Sequence, residues 1–192
     1  MSNFRNTIIY LLGYAGTGKY TIAKELCRIA PEFRLVDNHL INNPLFTLIH
    51  ADGITPLPPR IWENVGKVWD AVIDTMIHIS PPDYSFVLTN ALSDSDKDVS
   101  WFYEVEDMAR QRNAIFIPVV LKISLDEHKR RIVSPDRITR MKEIDPNNPA
   151  RYAAADNLIK PVHPHLLTLD VSSISAEQSA QSILNHIKTI KT

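Results

Sequence analysis

The chain has 192 residues, 44% of them hydrophobic and 22% charged, and its 21 Lys and Arg against 22 Asp and Glu leave a formal net charge of −1. That length suits a single domain spanning residues 1–192 with a sizeable core, and the balanced charge argues against nucleic acid, which would call for a broad basic stripe. No apolar stretch approaches the ~18 residues of a membrane span, and the first apolar run is too short for a signal-peptide core, so no membrane association and a cytoplasmic location are expected. Cys27 is the one cysteine and reads as a buried structural thiol, and the seven histidines follow no metal-ligand spacing.

Taken in chain order, the first element is the apolar run at 7–12, a strand. Gly13-Tyr14-Ala15-Gly16-Thr17-Gly18-Lys19-Tyr20-Thr21 follows it directly and holds three of the chain's five glycines. Ile22, Ala23, Leu26, Ile29 and Ala30 then repeat at helical spacing, predicting a helix over 18–30. A strand, a glycine-rich turn and a helix opening at a lysine form an anion trap of inward N–H groups, a helix N-terminus and a full positive charge. Glycine is needed there because a Cβ would block the turn and the backbone's approach to phosphate oxygens.

A second strand at 34–36 ends at Asp37-Asn38-His39, residues 40–50 read as helix, and Ala51–Pro59, with Gly53 and three prolines, reads as loop. A long amphipathic helix runs from Ile61 to the Pro81-Pro82 stop. Residues 85–92 form a buried third strand, and 97–112 a helix capped most simply by Asp94 or Asp96. The fourth strand is expected at 119–123 with Pro118 at its start, then a helix at 125–133, a fifth strand at 166–169 and a last helix at 175–190. Strands alternating with helices imply an α/β fold: a parallel sheet covered on both faces, with ligands at the strands' C-terminal ends.

The loop Gly13 to Thr21 resembles GxPGxGKGT of the adenylate kinase-like nucleoside monophosphate kinases, with Ala15 for the proline and Tyr20 for the last glycine. The wider resemblance is to the P-loop small-molecule kinases, adenylate kinase-like and shikimate kinase-like. It implies a three-layer P-loop NTPase fold with a five-stranded parallel sheet and a small lid, and Mg-ATP held by Gly13, Ala15, Gly16, Thr17, Gly18, Lys19, Tyr20 and Thr21. By that resemblance Lys19 grips the β- and γ-phosphates and Thr21 supplies the Mg²⁺-side hydroxyl. Shikimate kinase-like and antibiotic phosphotransferase-like proteins also carry an aspartate after the second strand, which assigns Asp37 as general base or as an Mg²⁺-side anion. The bland alternative for Asp37 or Asn38 is a helix N-cap.

Between His128 and Lys142 six basic residues meet the single acid Asp136. In the same kinases this region is a mobile lid, here about 134–145, so Arg137 and Arg140 are the expected lid cations and Arg131 the next candidate. Residues 40–84 correspond to the substrate-binding helices, with Arg60 and Trp62 at the mouth of the long helix and Thr89 and Asn90 at the third strand's end as acceptor contacts. Val171-Ser172-Ser173 resembles the loop that packs against adenine in shikimate and gluconate kinase-like proteins. The acidic strand end and Gly-Phe-Pro-Arg turn of adenylate kinases are missing, which weakens AMP as acceptor, and the missing triple-glycine loop disfavours shikimate.

The expected activity is transfer of the γ-phosphate of Mg-ATP to a small-molecule acceptor, a nucleotide or a hydroxylated metabolite, by a monomer or homodimer. The alternatives are an antibiotic or toxin-type P-loop phosphotransferase, and a nucleotide-binding regulator that hydrolyses slowly. ATP and GTP are not distinguished by these residues.

Overall fold

The computed structural model describes residues 4–190. Five strands, β1 (Thr7–Leu12), β2 (Phe33–Asp37), β3 (Ser85–Asn90), β4 (Ile115–Lys122) and β5 (Leu167–Asp170), form one sheet in the order β2-β3-β1-β4-β5, every pair parallel. The helices are α1 (Lys19–Ile29), α2 (Asn38–Phe46), α3 (Ile61–His78), α4 (Asp96–Gln111), α5 (Leu125–Ile132), α6 (Asn148–Ala155) and α7 (Ala176–Ile190), with a 3₁₀ turn at Pro135–Arg140.

β1 is buried on both faces, which is why it reads as an unbroken apolar run. Ile8, Tyr10 and Leu12 pack with Trp69, Phe102 and Val105 from the α3 and α4 side, whereas Ile9 and Leu11 pack with Ile22, Leu26 and Ile183 of α1 and α7. The two-residue period of a strand thus divides the core between two helical layers. α1 leaves β1 toward one layer and α4 leaves β3 toward the other. Because β1 and β3 are neighbours, a crevice opens at their C-terminal ends, where Gly13 and Asn90 lie.

Three expectations change. Pro118 stands inside β4 rather than at its start, paired opposite Tyr10, and its missing N–H is tolerated because β5 begins pairing only at Val119↔Leu167. Ser95, not Asp94 or Asp96, caps α4 by accepting a hydrogen bond from the Asp98 amide. α6 was not foreseen: Pro149 at its start is compatible with a first helical turn, but eight residues with one buried side chain carry little periodicity. Among the described residues no helix is long and apolar enough to cross a membrane.

Candidate active site

The loop after β1 is a closed ring of backbone. Gly13 is buried, and a Cβ there would come within 2.8 Å of the Thr17 hydroxyl oxygen. Gly16 and Gly18 both hold φ at 94°, the left-handed region open to glycine at little cost. The fully buried Thr17 hydroxyl donates to the Tyr14 carbonyl at 3.0 Å, and the Lys19 ammonium donates to the carbonyls of Gly13 (2.5 Å) and Tyr14 (2.9 Å). α1 opens on Gly18 with no side-chain cap and no acid in its first turn, so its leading N–H groups and positive end are left for an anion. Burial, reinforced by the neighbouring charges of Arg137 and Lys142, pulls the Lys19 pKa down to about 7. An ammonium so poorly accommodated is one that a bound phosphate would restore.

In the sequence His128 of α5 marks only the edge of the basic run. It is buried, and its ring N–H donates to the Ala15 carbonyl at 2.6 Å. A Cβ on Gly16 would meet that ring at 3.0 Å, so Gly16 also makes room for the imidazole that pins the loop. Arg131 makes a second tie: its guanidinium donates to the Thr17 carbonyl (3.3 Å), the Val171 carbonyl (2.7 Å) and Glu127 (2.6 Å). It braces the loop against the segment after β5 and is not on the cavity wall, unlike the lid cations with which the sequence grouped it.

A cavity of about 730 Å³ opens from this loop toward α2, α3 and α4. Ala15, Gly16, Gly18, Lys19, Tyr20 and Thr21 form one end of it, with Gly13 and Thr17 buried behind as the loop's frame. Asp37, Thr89 and Asn90 lie on its floor, at the ends of β2 and β3. Asp37 is 4% exposed and occupies the N-cap position of α2, yet its carboxylate makes no capping bond. Instead it accepts from the Thr89 hydroxyl at 2.6 Å and from the Lys142 ammonium at 3.4 Å, while the Asn38 amide donates to Thr89 at 3.1 Å. The capping alternative therefore fails for Asp37. Beside it, burial holds His39 below its ordinary pKa and neutral, with Nδ1 3.0 Å from Asn43.

The segment expected from sequence to be a lid lines the cavity from the other side. Arg137 donates twice to the Glu143 carbonyl, at 2.9 and 2.7 Å, and the Tyr152 hydroxyl of α6 donates to the Glu143 carboxylate. Tyr152 in turn stacks on Tyr14 of the phosphate loop, ring centres 4.4 Å apart and 7° from parallel. Tyr20 carries the remaining cations: the Arg140 guanidinium lies 4.2 Å and the Lys142 ammonium 4.5 Å from its ring centre. A tyrosine where the resembling loop has glycine is thus the ring against which Arg140 and Lys142 rest. Of the acceptor contacts expected from sequence, Trp62 lines the cavity, whereas Arg60 is exposed and does not. Lys142, His39, Asn42, Trp101 and Glu143 also line it; Asn42 falls in the segment 40–84 and Lys142 and Glu143 in the segment 134–145 that the resemblance assigns to the site, but no pattern marks these side chains individually beyond Lys142's place in the basic run.

The two oxygens expected from sequence to face a magnesium ion, the Thr21 hydroxyl on the wall and the Asp37 carboxylate on the floor, both line the cavity. Hard oxygens, few in number, beside a phosphate cradle suit Mg²⁺, and the Lys142 ammonium against Asp37 marks the spot as one that attracts a cation. Among the described residues no group of three or more His, Cys, Asp or Glu is clustered to hold a metal without a phosphate.

No protein-family model and no curated protein matches the sequence. Solved structures do. A gluconokinase from Sinorhizobium meliloti 1021 superposes with a TM-score of 0.64 at 11% identity, covering 96% of this chain and 93% of that one. An APS kinase from Mycobacterium tuberculosis, in complex with AMPPNP and APS, matches at 0.58 and 16% over 96% and 98% of the two chains. Shikimate kinase from Acinetobacter baumannii, in complex with shikimate, matches at 0.56 and 19% over 96% and 94%. The chain has the fold of the P-loop small-molecule kinases. Identities this low carry the architecture, while the chemistry has to be argued from the site.

Proposed function

We propose that this P-loop fold is a single-domain, ATP-dependent phosphotransferase acting on a hydroxyl of a small molecule. The observation that carries the reading is the sharing of one cavity by the phosphate loop, the Asp37 carboxylate and the lid cations Arg137, Arg140 and Lys142. A nucleotide-binding regulator would need the loop but no buried carboxylate facing it across a substrate-sized space. The APS kinase solved with AMPPNP supports ATP as the donor by analogy of fold.

In this reading the amides of the loop and Lys19 hold the β- and γ-phosphates, and the lid cations neutralise charge on the transferring group. Thr21, with Asp37, would hold Mg²⁺, which would supply neutralisation of phosphate charge. Asp37, oriented by Thr89, takes the proton of the acceptor hydroxyl. The acceptor oxygen forms its bond to the γ-phosphorus as the bond to the bridging oxygen breaks, and the nucleoside diphosphate leaves with that electron pair. Lys142 neutralises Asp37 in the resting protein and must yield it when the base acts.

Calorimetry with Mg-AMPPNP tests the foundation. The expected result is saturable heat with the intact chain and none with Lys19→Ala. Absence of heat with any Mg-nucleoside triphosphate would overturn the proposal.

A further inference from the structure

Arg137 is held by a neutral group although an acid belongs to the same residue that holds it. Its Nε and Nη2 both donate to the main-chain carbonyl of Glu143, at 2.9 and 2.7 Å, and not to the Glu143 carboxylate. A guanidinium and a carboxylate within reach of each other ordinarily pair through two parallel N–H···O bonds. Glu143 is also the acid whose charge is felt most at Arg137. What keeps the two charges apart is Tyr152, whose hydroxyl donates to the Glu143 carboxylate, 2.8 and 2.7 Å from its two oxygens.

Tyr152 takes its own position from the phosphate loop. Its ring is stacked on Tyr14, 4.4 Å between centres and 7° from parallel, and the His128 imidazole lies near parallel to it at 6.0 Å and 14°. The exit of α6 is tied to the end of β3: the Asp94 amide donates to the Asn157 carbonyl at 2.9 Å and the Ile159 amide to the Leu92 carbonyl at 3.1 Å. The Tyr14 hydroxyl adds a bond to Asn157 Oδ1 at 3.2 Å. Burial and the facing carboxylate push the Tyr152 phenol above its ordinary pKa, so its hydroxyl stays a donor. The same Tyr14 offers its carbonyl to the Lys19 ammonium at 2.9 Å, so one residue of the loop sets both the lysine and, through Tyr152 and Glu143, the arginine.

Arg137 lines the cavity together with Lys19, and its Nη1 makes no hydrogen bond among the described residues. Its charge, added to burial, helps to depress the Lys19 pKa, as two cations left open to one anion would. Resting on the phosphotransferase reading above, we propose that Tyr152 is a positioning residue. It holds the Glu143 carboxylate off Arg137, so that a neutral carbonyl fixes the guanidinium and its charge is kept for the terminal phosphate of the nucleotide. Freed of the hydroxyl, the carboxylate would turn to the guanidinium and spend that charge inside the protein.

Calorimetry on the full chain, comparing Mg-AMPPNP with Mg-ADP, which lacks the terminal phosphate, tests the role. Tyr152→Phe keeps the stacked ring and removes only the hydroxyl. It should lower the preference for AMPPNP over ADP about fivefold, the scale of weakening one charge-assisted hydrogen bond, with ADP affinity within about twofold of the unsubstituted protein. Adding Glu143→Gln to Tyr152→Phe removes the competing charge and should restore the preference to within about twofold, a rescue that a packing role would not give. Glu143→Gln alone should raise the preference about twofold to threefold, because a negative charge beside the phosphate is gone. An unchanged preference in Tyr152→Phe, an equal loss of both affinities, or a double variant no better than the single one would overturn the proposal. A preference lowered by Glu143→Gln alone would overturn it too, and that variant answers even if the melting temperature shows Tyr152→Phe to fold poorly. Missing heat with either nucleotide in the unsubstituted protein sinks the phosphotransferase and this inference together, whereas normal nucleotide binding with an unresponsive preference sinks only the role of Tyr152.

Discussion

The two ends of the cavity are built on opposite plans. The phosphate end is one continuous segment, residues 13–21, whose ligands are mainly backbone N–H groups plus one lysine. The opposite end gathers side chains from α2, α3, β3, α4, α6 and the segment 136–145, as far apart in sequence as His39 and Arg151. A backbone cradle recognises a chemical group common to every donor nucleotide and needs only local geometry. A cavity of side chains recognises one guest and can be respecified without touching the cradle.

Substitutions that strike each end separately should break this division at different depths. Lys19→Ala removes the fixed cation of the cradle and should lower turnover about a thousandfold or more, whatever the acceptor. A variant with near-normal rates would show that the loop is not used for catalysis. Asp37→Asn strikes the junction of the two ends and should lower kcat about a hundredfold with a smaller change in the KM for nucleotide. If only the melting temperature moved, Asp37 would be an anchor for Lys142 and Thr89 rather than a base.

The pH dependence of nucleotide binding sharpens the contrast, because the titrating group, Lys19, belongs to the cradle although Arg137 and Lys142 help to lower its pKa. With its pKa lowered to about 7, Lys19 in the free protein is largely neutral above that pH. A bound phosphate favours the charged form, so binding takes up a proton, and affinity should fall up to about tenfold per pH unit from about 7 toward the ordinary lysine range near 10. Calorimetry in two buffers of different ionisation enthalpy reads that proton directly; equal heats at pH 8 would contradict it. The smallest effect is expected at Tyr20. Cation–ring contacts are worth about 0.5–2 kcal/mol, so Tyr20→Ala should raise the KM for nucleotide several-fold by loosening the lid, while Tyr20→Phe, which keeps the ring, should stay within about twofold.

Legibility in the sequence followed the same division. β1, the phosphate loop and α1 could be read to within a residue, because a strand buried on both faces, a glycine-rich turn and a helical apolar stripe are local patterns. Asp37 could be placed at a strand end facing the loop, but its bonds to Thr89 and Lys142 depend on contacts 52 and 105 residues away. Arg131 and Arg137 look alike in a basic run. Only the fold turns one toward the Thr17 and Val171 carbonyls and the other into the cavity. Arg60 and Trp62 are two residues apart on one helix end, and their different headings decide that the indole lines the cavity and the guanidinium does not.

The amino-acid order alone determined where a phosphate would sit, since that site is made of neighbours in the chain and needs nothing more than glycines at the right turns. It also set the parallel sheet, through the alternation of short apolar runs with amphipathic helices. The tertiary structure alone decided what surrounds that loop: Lys142 on Asp37, Arg140 on Tyr20, His128 beneath the loop and two indoles on the cavity wall. Those contacts join residues tens to more than a hundred positions apart, and no local periodicity encodes which of many similar side chains a folded backbone will bring together.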